Sequence, residues 1–450
     1  MMMGNDTEDD DSFSKPLGRR SVLYYGVGHM LNDITAACWF TYLLLFLTDI
    51  GLSPRDAATV MLSGQVADGF TTIFAGELTG LDISKYGMVQ DPFWLLFHFL
   101  LFLAVAYLVK SLLPLHQHCE LLATVCLQQS SMWVGLLLRS MVNCITLNST
   151  SRIVLNSCRN AFTMVANLTL YAVALIVFAV TKAETNAGVE NQYRWIAYSS
   201  IFFGCFFVGI FHLRTKEPRS KVQGNSHARI AWAYWFKRVL YYEVALVYVL
   251  TRLVINVSQA YLAFYVINDL RMAQSAKALV PAIIYICSFI VSVILQEIAW
   301  TGQRLKAYYS AGGILWIFCG AAILLLPRSM SALMYIISIF IGIANALMTV
   351  TGVSMQSVLI GENLGGCAFV CGSLSFLDKI SCGLALYVLQ SFQSSSPELH
   401  LTNPMHVYIS VTRIGLGLIP PFCSLVGVAV TYTMKLHTSF SKPIMEPLLA

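Results

Sequence analysis

The sequence predicts an all-α membrane protein of twelve transmembrane helices, arranged as two halves with six helices each. Of its 450 residues, 57% are hydrophobic and only 11% are charged. A soluble domain has about 25% charged residues, so lipid must cover most of this surface. The apolar residues also collect in runs of about 20, the length that crosses a bilayer as a helix. The longest polar segment falls halfway along the chain, which indicates the two halves.

Twelve apolar runs are long enough to span a membrane, and short polar segments separate them. They cover residues 21–48, 57–79, 93–113, 119–139, 158–181, 195–213, 240–267, 278–299, 307–327, 331–355, 366–391 and 407–434. The third and fourth runs are the least distinct. The segment between them is a weak break, and the fourth run contains Gln128, Gln129 and Ser130.

The basic residues predict which side of the membrane each loop faces. The polar linker 214–239 carries seven Lys and Arg residues against the single acid Glu217. Cytosolic loops are enriched in Lys and Arg, so this linker is predicted to be cytosolic, and an even number of spans leaves both termini there too. The predicted units are a disordered cytosolic tail, the N-terminal half, the linker, the C-terminal half and a second cytosolic tail. Their ranges are 1–20, 21–213, 214–239, 240–434 and 435–450.

Several classes of function lack support in the sequence. There is no GxxxxGK[ST] phosphate loop, HExxH zinc motif or GxSxG nucleophile turn. The twelve cysteines are scattered without CxxC pairs, which is typical of small hydrophobic residues within helices and not of metal ligands. No block rich in Lys and Arg indicates nucleic acid. We therefore expect neither an enzyme nor a cofactor, metal or nucleic-acid partner.

Ionisable side chains inside the apolar runs carry the main functional signal. A charge at membrane depth is costly, so it normally faces a polar cavity or an opposite charge. His29 and Asp33 in the first span, and Asp68 and Thr72 in the second, are each four residues apart and share a helix face. These pairs predict a site for a coupling proton or Na⁺. The alternative is that a neighbouring helix satisfies each pair and that the pairs serve packing alone.

A polar stripe on the seventh span predicts contact with a transported solute. Arg252, Asn256 and Gln259 follow one another at intervals of four and three residues, which places them on one helix face. Arginine can bind a carboxylate through two parallel hydrogen bonds, which favours an amino-acid-like or acidic substrate. Hydrogen bonding that only holds the helices together is the alternative.

Two further spans contain candidate substrate-binding residues. Asp378 and Lys379 are adjacent in the eleventh span, where the carboxylate is placed to neutralise the lysine. Arg159 begins the fifth span, and Asn167 follows two turns later. Arg159 either reaches the cavity or lies at the cytosolic interface. Structural pairing alone is again the alternative for Asp378 and Lys379.

Several windows of the sequence resemble one protein family. They are residues 25–33 and 39–44 in the first span, 64–69 in the second, 251–261 in the seventh and 372–379 in the eleventh. In these windows the chain resembles the twelfth domain-containing branch of the major facilitator superfamily, which is similar to the glycoside–pentoside–hexuronide:cation symporters. The resemblance covers residues 20–80 and about 141–435. It implies the major facilitator fold and transport by alternating access.

The resemblance also implies roles for individual residues. Asp33 and Asp68 match carboxylates of the symporters' cation site, and Lys379 matches a lysine of their eleventh helix. Thr72 stands where the sugar symporters have a second carboxylate. That difference favours coupling to H⁺, or no coupling, over Na⁺.

The substrate and the compartment come from the resemblance alone. Members of this branch are associated with cysteine import into lysosomes and melanosomes, and thereby with pigmentation. The resemblance therefore implies a cysteine transporter in the lysosomal or melanosomal membrane. Two alternatives remain: a cation-coupled symporter of sugars or other metabolites, and a membrane scaffold that transports nothing.

Residues 88–140 do not resemble the family. The family's fourth-helix string Gly-Trp-Ala-Ala/Ser-Thr-Gln is missing, but residues 131–140 permit His-Val-Gly-Trp-Ala-Ala-Thr-Gln-Val when they are read two nucleotides later. Met132 and Trp133 each have a single codon, so the shifted reading across them must give the Val of that string. The shifted reading across Trp133 and Val134 must likewise give its Gly. We therefore predict that about 88–140 is translated out of frame. Genomic sequencing checks this, and a gene without compensating frame changes near both ends would refute it.

Overall fold

The computed structural model describes most of both halves of the chain. The described residues are 19–49, 51–79, 149–181, 185–214, 232–296, 301–360, 367–395 and 410–436. The long helices are α1 Val22–Asp49, α2 Pro54–Thr79, α3 Ser149–Val180, α4 Asn186–Arg214, α5 Val239–Asp269, α6 Ala276–Gln296, α7 Gly302–Leu325, α8 Leu333–Ile360, α9 Cys367–Ser395 and α10 Val411–Thr433. The predicted third and fourth spans and the segment 88–140 lie outside the described residues.

Each of the ten predicted spans that fall within the described residues is a helix. Nine of these described helices are long and apolar enough to cross a membrane, while α2, which contains Asp68 and Glu77, is less apolar. α3 and α4 begin at Ser149 and Asn186, about two and a half turns before their predicted starts. Their first turns are polar, so a search for apolar runs does not detect them.

α1 departs from a regular α-helix in two places. At His29 the helix is interrupted, and the His29 N–H donates to the Gly26 carbonyl at 3.1 Å. A β-carbon at Gly26 would lie 2.3 Å from the Phe162 ring of α3, so glycine is what lets the two helices approach. Further along, Trp39–Leu43 forms a π-helical turn, a feature that is frequent at functional sites.

Among the described residues, the most extensive packing between α1–α4 and α5–α10 is in three helix pairs. α2 packs along α9, α3 packs against α6, and the π-helical turn of α1 packs against α5. Large apolar side chains cover the outside of the bundle, as expected for a surface that contacts lipid. Examples are Phe202, Phe206, Ile290, Ile294 and Phe318.

The two ends of the bundle are distinguished by the direction of the helices. α1 ends at Asp49, and α2, α4 and α6 begin at the same end, which we call the Asp49 end. α1 begins at the opposite end, which we call the Val22 end. With both termini in the cytosol, as the sequence predicts, the Asp49 end faces away from the cytosol.

We expect Gly342→Leu to destabilise the protein, because α6 and α8 touch through their backbones there. A β-carbon at Gly342 would lie 2.5 Å from the Ile284 carbonyl oxygen, and backbone cannot move aside cheaply. Overpacking of this kind costs about 1–3 kcal/mol. Thermal unfolding in detergent measures the loss. Gly209→Leu is the matched control, since no heavy atom lies within 4 Å of the place that a β-carbon would take there; equal melting temperatures for the two variants would contradict the prediction.

Candidate functional site

Five ionisable side chains lie at the middle depth of the bundle, and we call them the middle layer. Each is near the midpoint of its helix, which is α1, α2, α5 or α9. The five are Asp33, Asp68, Arg252, Asp378 and Lys379. All were predicted as site residues, and the fold brings them to one depth.

One ion pair of the middle layer joins the two halves. Lys379 Nζ on α9 lies 2.6 Å from Asp68 Oδ2 on α2, and the two side chains are 12% and 0% exposed. The ammonium group also lies 5.7 Å from the centre of the Phe40 ring of α1. A buried carboxylate is costly without a compensating charge. Lys379 supplies the positive charge that Asp68 requires.

A second ion pair of the middle layer lies between α5 and α9. Arg252 Nε donates to Asp378 Oδ2 at 3.1 Å, and Asn256 Nδ2 donates to Asp378 Oδ1 at 3.2 Å. The Asp378 side chain is 3% exposed, whereas that of Arg252 is 34% exposed. The two terminal nitrogens of the guanidinium group form no hydrogen bond with the described residues. The open side of this pair is therefore the arginine.

The expected neutralisation of Lys379 by Asp378 is wrong. Asp378 pairs with Arg252, and Lys379 pairs with Asp68. The reason is helical geometry: adjacent residues point about 100° apart around a helix axis, so Asp378 faces α5 while Lys379 faces α2.

Asp33 is bound by neutral groups. The Thr163 hydroxyl of α3 donates to Asp33 Oδ2 at 2.6 Å, and Asn32 Nδ2 donates to Asp33 Oδ1 at 3.1 Å. His29, one turn earlier in α1, is fully buried, and its ring meets Tyr25 edge-on at 5.0 Å between centroids. Asp33 thus differs from Asp68 and Asp378, each of which has a cation beside it.

Gln259 connects four helices through its side-chain amide, in a group that we call the Gln259 cluster. Its nitrogen donates to Thr41 Oγ1 on α1 at 2.8 Å and to the Tyr171 hydroxyl on α3 at 3.2 Å. Its oxygen accepts from the Tyr285 hydroxyl on α6 at 3.2 Å. Gln259 lies seven residues beyond Arg252 along α5, about 10 Å nearer the Asp49 end. The cluster therefore connects the two halves between the middle layer and the Asp49 end.

A charged contact closes the Asp49 end itself, and we call it the Lys277 cluster. Lys277 Nζ at the start of α6 lies 3.4 Å from the Tyr193 hydroxyl of α4 and 4.0 Å from Asp49 Oδ2 of α1. Tyr193 in turn donates to Asp49 Oδ2 at 3.1 Å. The Lys277 ammonium lies 5.9 Å from the centre of the Phe178 ring. Both clusters join the halves, so the described helices are in contact at the Asp49 end.

The remaining predicted site residues lie on α2 and α3. Asn167 is buried, and its amide donates to the Thr163 carbonyl at 2.8 Å, a bond within α3. Arg159 is partly exposed one turn before Thr163, and its Nε forms no hydrogen bond with the described residues. Thr72 is part of α2, but its side chain lies outside the described residues.

Sequence reasoning did not select seven polar or charged residues that the structure places in these contacts. They are Thr41, Asp49, Thr163, Tyr171, Tyr193, Lys277 and Tyr285. A hydroxyl in an apolar span is common, and Lys277 lies just before the predicted span 278–299, where a lysine is ordinary. The only sequence signal for Thr41 is its place in the window 39–44, one of the windows that carry the family resemblance.

Comparison with known proteins identifies the family. The family described as MFS/sugar transport protein, where MFS stands for major facilitator superfamily, matches residues 24–438 of this chain. The chain belongs to this family. The same match confirms the major facilitator fold for this MFS chain, and the ten described helices are consistent with the predicted twelve. The family is one of transport proteins.

Relatives of this MFS chain occur in mammals. It is 28% identical to major facilitator superfamily domain-containing protein 12 of Homo sapiens over 461 aligned residues, which cover 91% of this chain and 93% of the relative. It is 29% identical to the protein of the same name in Mus musculus, covering 84% of this chain and 86% of the relative. The predicted resemblance to the twelfth domain-containing branch is confirmed.

Solved structures of other MFS transporters share the fold. A D-xylose–proton symporter superposes with a TM-score of 0.65 at 14% identity, covering 90% of this chain and 96% of the symporter. The nucleoside transporter NupG gives 0.60 at 12% identity, covering 92% of this chain and 99% of the transporter. At these identities the likeness concerns the fold alone.

Proposed function

We propose that this MFS transporter moves cysteine into lysosomes or melanosomes by alternating access, in a cycle coupled to protons. The observation that carries the proposal is the open guanidinium group of Arg252 at middle depth. The family supplies transport of a small solute, and the resemblance to the twelfth domain-containing branch supplies cysteine and the compartment.

Arg252 is prepared to bind a carboxylate. Its Nε donates to Asp378, and Asn256 also donates to that carboxylate. The two terminal nitrogens of the guanidinium group remain available for a substrate. Two parallel N–H groups match the two oxygens of a carboxylate, and such charge-assisted pairs are among the strongest hydrogen-bonded contacts that side chains make. The Arg252 side chain is 34% exposed, and we infer that its exposed part faces the space between the halves. A substrate carboxylate fits there.

Asp378 retains capacity for the substrate's ammonium group. A carboxylate offers about four acceptor positions, and Asp378 accepts one hydrogen bond from Arg252 and one from Asn256. Because the Asp378 side chain is 3% exposed, the ammonium group of an α-amino acid would reach these positions only when the contacts around Asp378 open. Among the residues first predicted for substrate binding, Arg252, Asp378, Asn256 and Gln259 keep that role in the proposal. Lys379 instead serves Asp68, and Asn167 bonds within α3.

The contacts at the Asp49 end fit loading from the cytosol. With both termini cytosolic, as proposed, the Gln259 and Lys277 clusters lie between the middle layer and the lumen. A carrier that imports cysteine into an organelle must be closed toward the lumen while it loads. The two clusters supply such a closure.

Uptake of radiolabelled cysteine into lysosomes that express the chain tests the proposal. A second version with 88–140 restored to the family frame is measured beside it. We expect unlabelled cysteine to compete with the label. Cysteamine, which lacks the carboxylate, and 3-mercaptopropionate, which lacks the amine, should compete at least tenfold more weakly. The reason is that one lost charged hydrogen bond costs about 1.5–3 kcal/mol. If neither version transports cysteine while both reach the membrane, or if cysteamine competes equally, the proposal fails.

A cation-coupled sugar symporter is the second candidate. The Gln259 cluster favours it, because three hydroxyl groups and one amide suit the hydroxyls of a sugar. Sugar uptake that requires Na⁺ and is lost in Asp68→Asn would support this candidate over the first.

A further inference from the structure

We propose that Tyr285 and Ile255 form the pocket for the side chain of the transported amino acid and select a short side chain that carries sulfur. This inference rests on the proposed function and deepens it, because the family resemblance implies cysteine without indicating which residues choose it. Arg252 would bind the carboxylate that all amino acids share. Selection among amino acids therefore has to come from another part of the site.

One face of α5 lines the space beside Arg252. This face carries four partly exposed side chains at intervals of four, three and four residues, namely Tyr248, Arg252, Ile255 and Gln259. Arg252 and Gln259 make contacts with α9, α1, α3 and α6, so the face points into the bundle and not toward lipid. Ile255 is its apolar member, about 4.5 Å beyond Arg252 and about 6 Å before Gln259 along the helix axis.

The ring of Tyr285 covers this space on the side of the Asp49 end. Its hydroxyl donates to Gln259 Oε1 at 3.2 Å, and its ring centre lies 5.5 Å from that of Tyr171 on α3. Tyr285 and Gln259 lie at about the same distance from the Asp49 ends of α6 and α5. Arg252 is near enough for its charge to act on the Tyr285 hydroxyl. Tyr285 is partly exposed, so a substrate bound at Arg252 would meet its ring.

The polar atoms of this cover are engaged with one another. The Gln259 amide donates to Thr41 and Tyr171 and accepts from Tyr285. Thr41 Oγ1 and the Tyr171 hydroxyl are also hydrogen-bonded, at 2.9 Å. A substrate side chain would therefore lie mainly against the Tyr285 ring and the alkyl group of Ile255. Sulfur is polarisable and contacts aromatic rings favourably, whereas a hydroxyl that exchanges water for apolar surface is destabilised.

The same arrangement favours a short side chain. The sulfur of cysteine is three bonds from the carboxylate carbon, so a cysteine held at Arg252 would bring its sulfur to the depth of Ile255. The hydrogen bond to Gln259 fixes Tyr285 beyond it. A longer or branched side chain, such as that of methionine or leucine, would have to displace the ring and break this bond.

Competition for the uptake of labelled cysteine into proteoliposomes tests the pocket. The competitors are unlabelled cysteine, serine, methionine and leucine, and the readout is the half-inhibitory concentration of each relative to that of cysteine. This ratio does not depend on the amount of folded carrier. In the wild type, serine should compete about tenfold more weakly than cysteine, which is the upper range of a sulfur–aromatic contact. Methionine and leucine should compete at least about tenfold more weakly, because they overfill the pocket.

We expect Tyr285→Ala to remove both preferences. Leucine and methionine should then compete at least as well as cysteine, and the advantage of cysteine over serine should be lost. Tyr285→Phe keeps the ring and should keep that advantage. Ile255→Ala widens the pocket and should admit methionine about tenfold better. Tyr198→Ala, at an exposed position of α4, removes the same side chain elsewhere and should give wild-type ratios.

Three outcomes would overturn the inference. They are leucine that competes as well as cysteine in the wild type, unchanged ratios in Tyr285→Ala, and a Tyr285→Phe variant that behaves like Tyr285→Ala, which would assign selection to the hydroxyl. If Tyr285→Ala does not fold, as judged by gel filtration in detergent, Ile255→Ala decides, and unchanged ratios in that variant also overturn it. A wild type that takes up no cysteine refutes the proposed function itself, and the inference falls with it.

Discussion

Arg252→Lys is expected to abolish most of the proposed cysteine transport while leaving the protein folded. Lysine keeps the positive charge beside Asp378 but cannot offer two parallel N–H groups to a carboxylate. Losing one charged hydrogen bond costs about 1.5–3 kcal/mol, which is about 10- to 100-fold in apparent affinity for cysteine. Concentration-dependent uptake measures the change.

A paired substitution separates substrate binding from ion-pair balance. Arg252→Gln leaves the carboxylate of Asp378, 3% exposed, without its cation, and removal of one partner from a buried pair costs about 3–5 kcal/mol. Arg252→Gln/Asp378→Asn removes both charges and should recover expression without recovering uptake. Transport by this double variant at the wild-type rate would show that the pair is structural only.

Lys277→Gln is expected to shift the carrier toward the state that is open at the Asp49 end. The substitution removes the cation that Asp49 and Tyr193 share across the two halves. Because Asp49 is 32% exposed, solvent screens part of the interaction, and we expect about 1.5–2 kcal/mol, below the value for a fully buried pair. This energy shifts the conformational equilibrium about tenfold or more.

Cysteine affinity measured from each side of the membrane reports this shift. Apparent affinity falls in proportion to the fraction of carriers that present the site to that side. Lys277→Gln should therefore raise the affinity from the Asp49 end and lower it from the Val22 end. The charge-swapped variant Asp49→Lys/Lys277→Asp should reverse the change, and Lys237→Gln, at an exposed position, is the control. Unchanged affinities in Lys277→Gln would exclude a closing role for the cluster.

The sequence was sufficient for the ten described helices and for finding the residues of the middle layer. An acid or a base within an apolar run stands out wherever it occurs, so Asp33, Asp68, Arg252, Asp378 and Lys379 could all be found without a structure. A continuous apolar run likewise fixes a span to within a few turns. Both signals come from short stretches of sequence, so they can be detected without knowing how the helices pack.

The pairing of these residues could not be predicted, because it depends on which helices touch. Asp378 and Lys379 are neighbours in sequence, yet they serve partners on α5 and α2 respectively. The Thr163 hydroxyl reaches Asp33 because α3 lies close to α1. Gly26 permits this approach through its close contact with Phe162. Contacts of this kind are long-range, and one sequence contains no record of them.

The pairing within the middle layer predicts how membrane voltage would act on the proposed transport cycle. The pairs Lys379–Asp68 and Arg252–Asp378 each have no net charge, and a zwitterionic amino acid adds none. Of the five middle-layer groups, Asp33 alone then carries charge across the field. An elementary charge gains or loses about 2.3 kcal/mol per 100 mV. Reorientation with Asp33 protonated should be electrically silent, whereas reorientation with Asp33 ionised should carry one negative charge and depend on voltage.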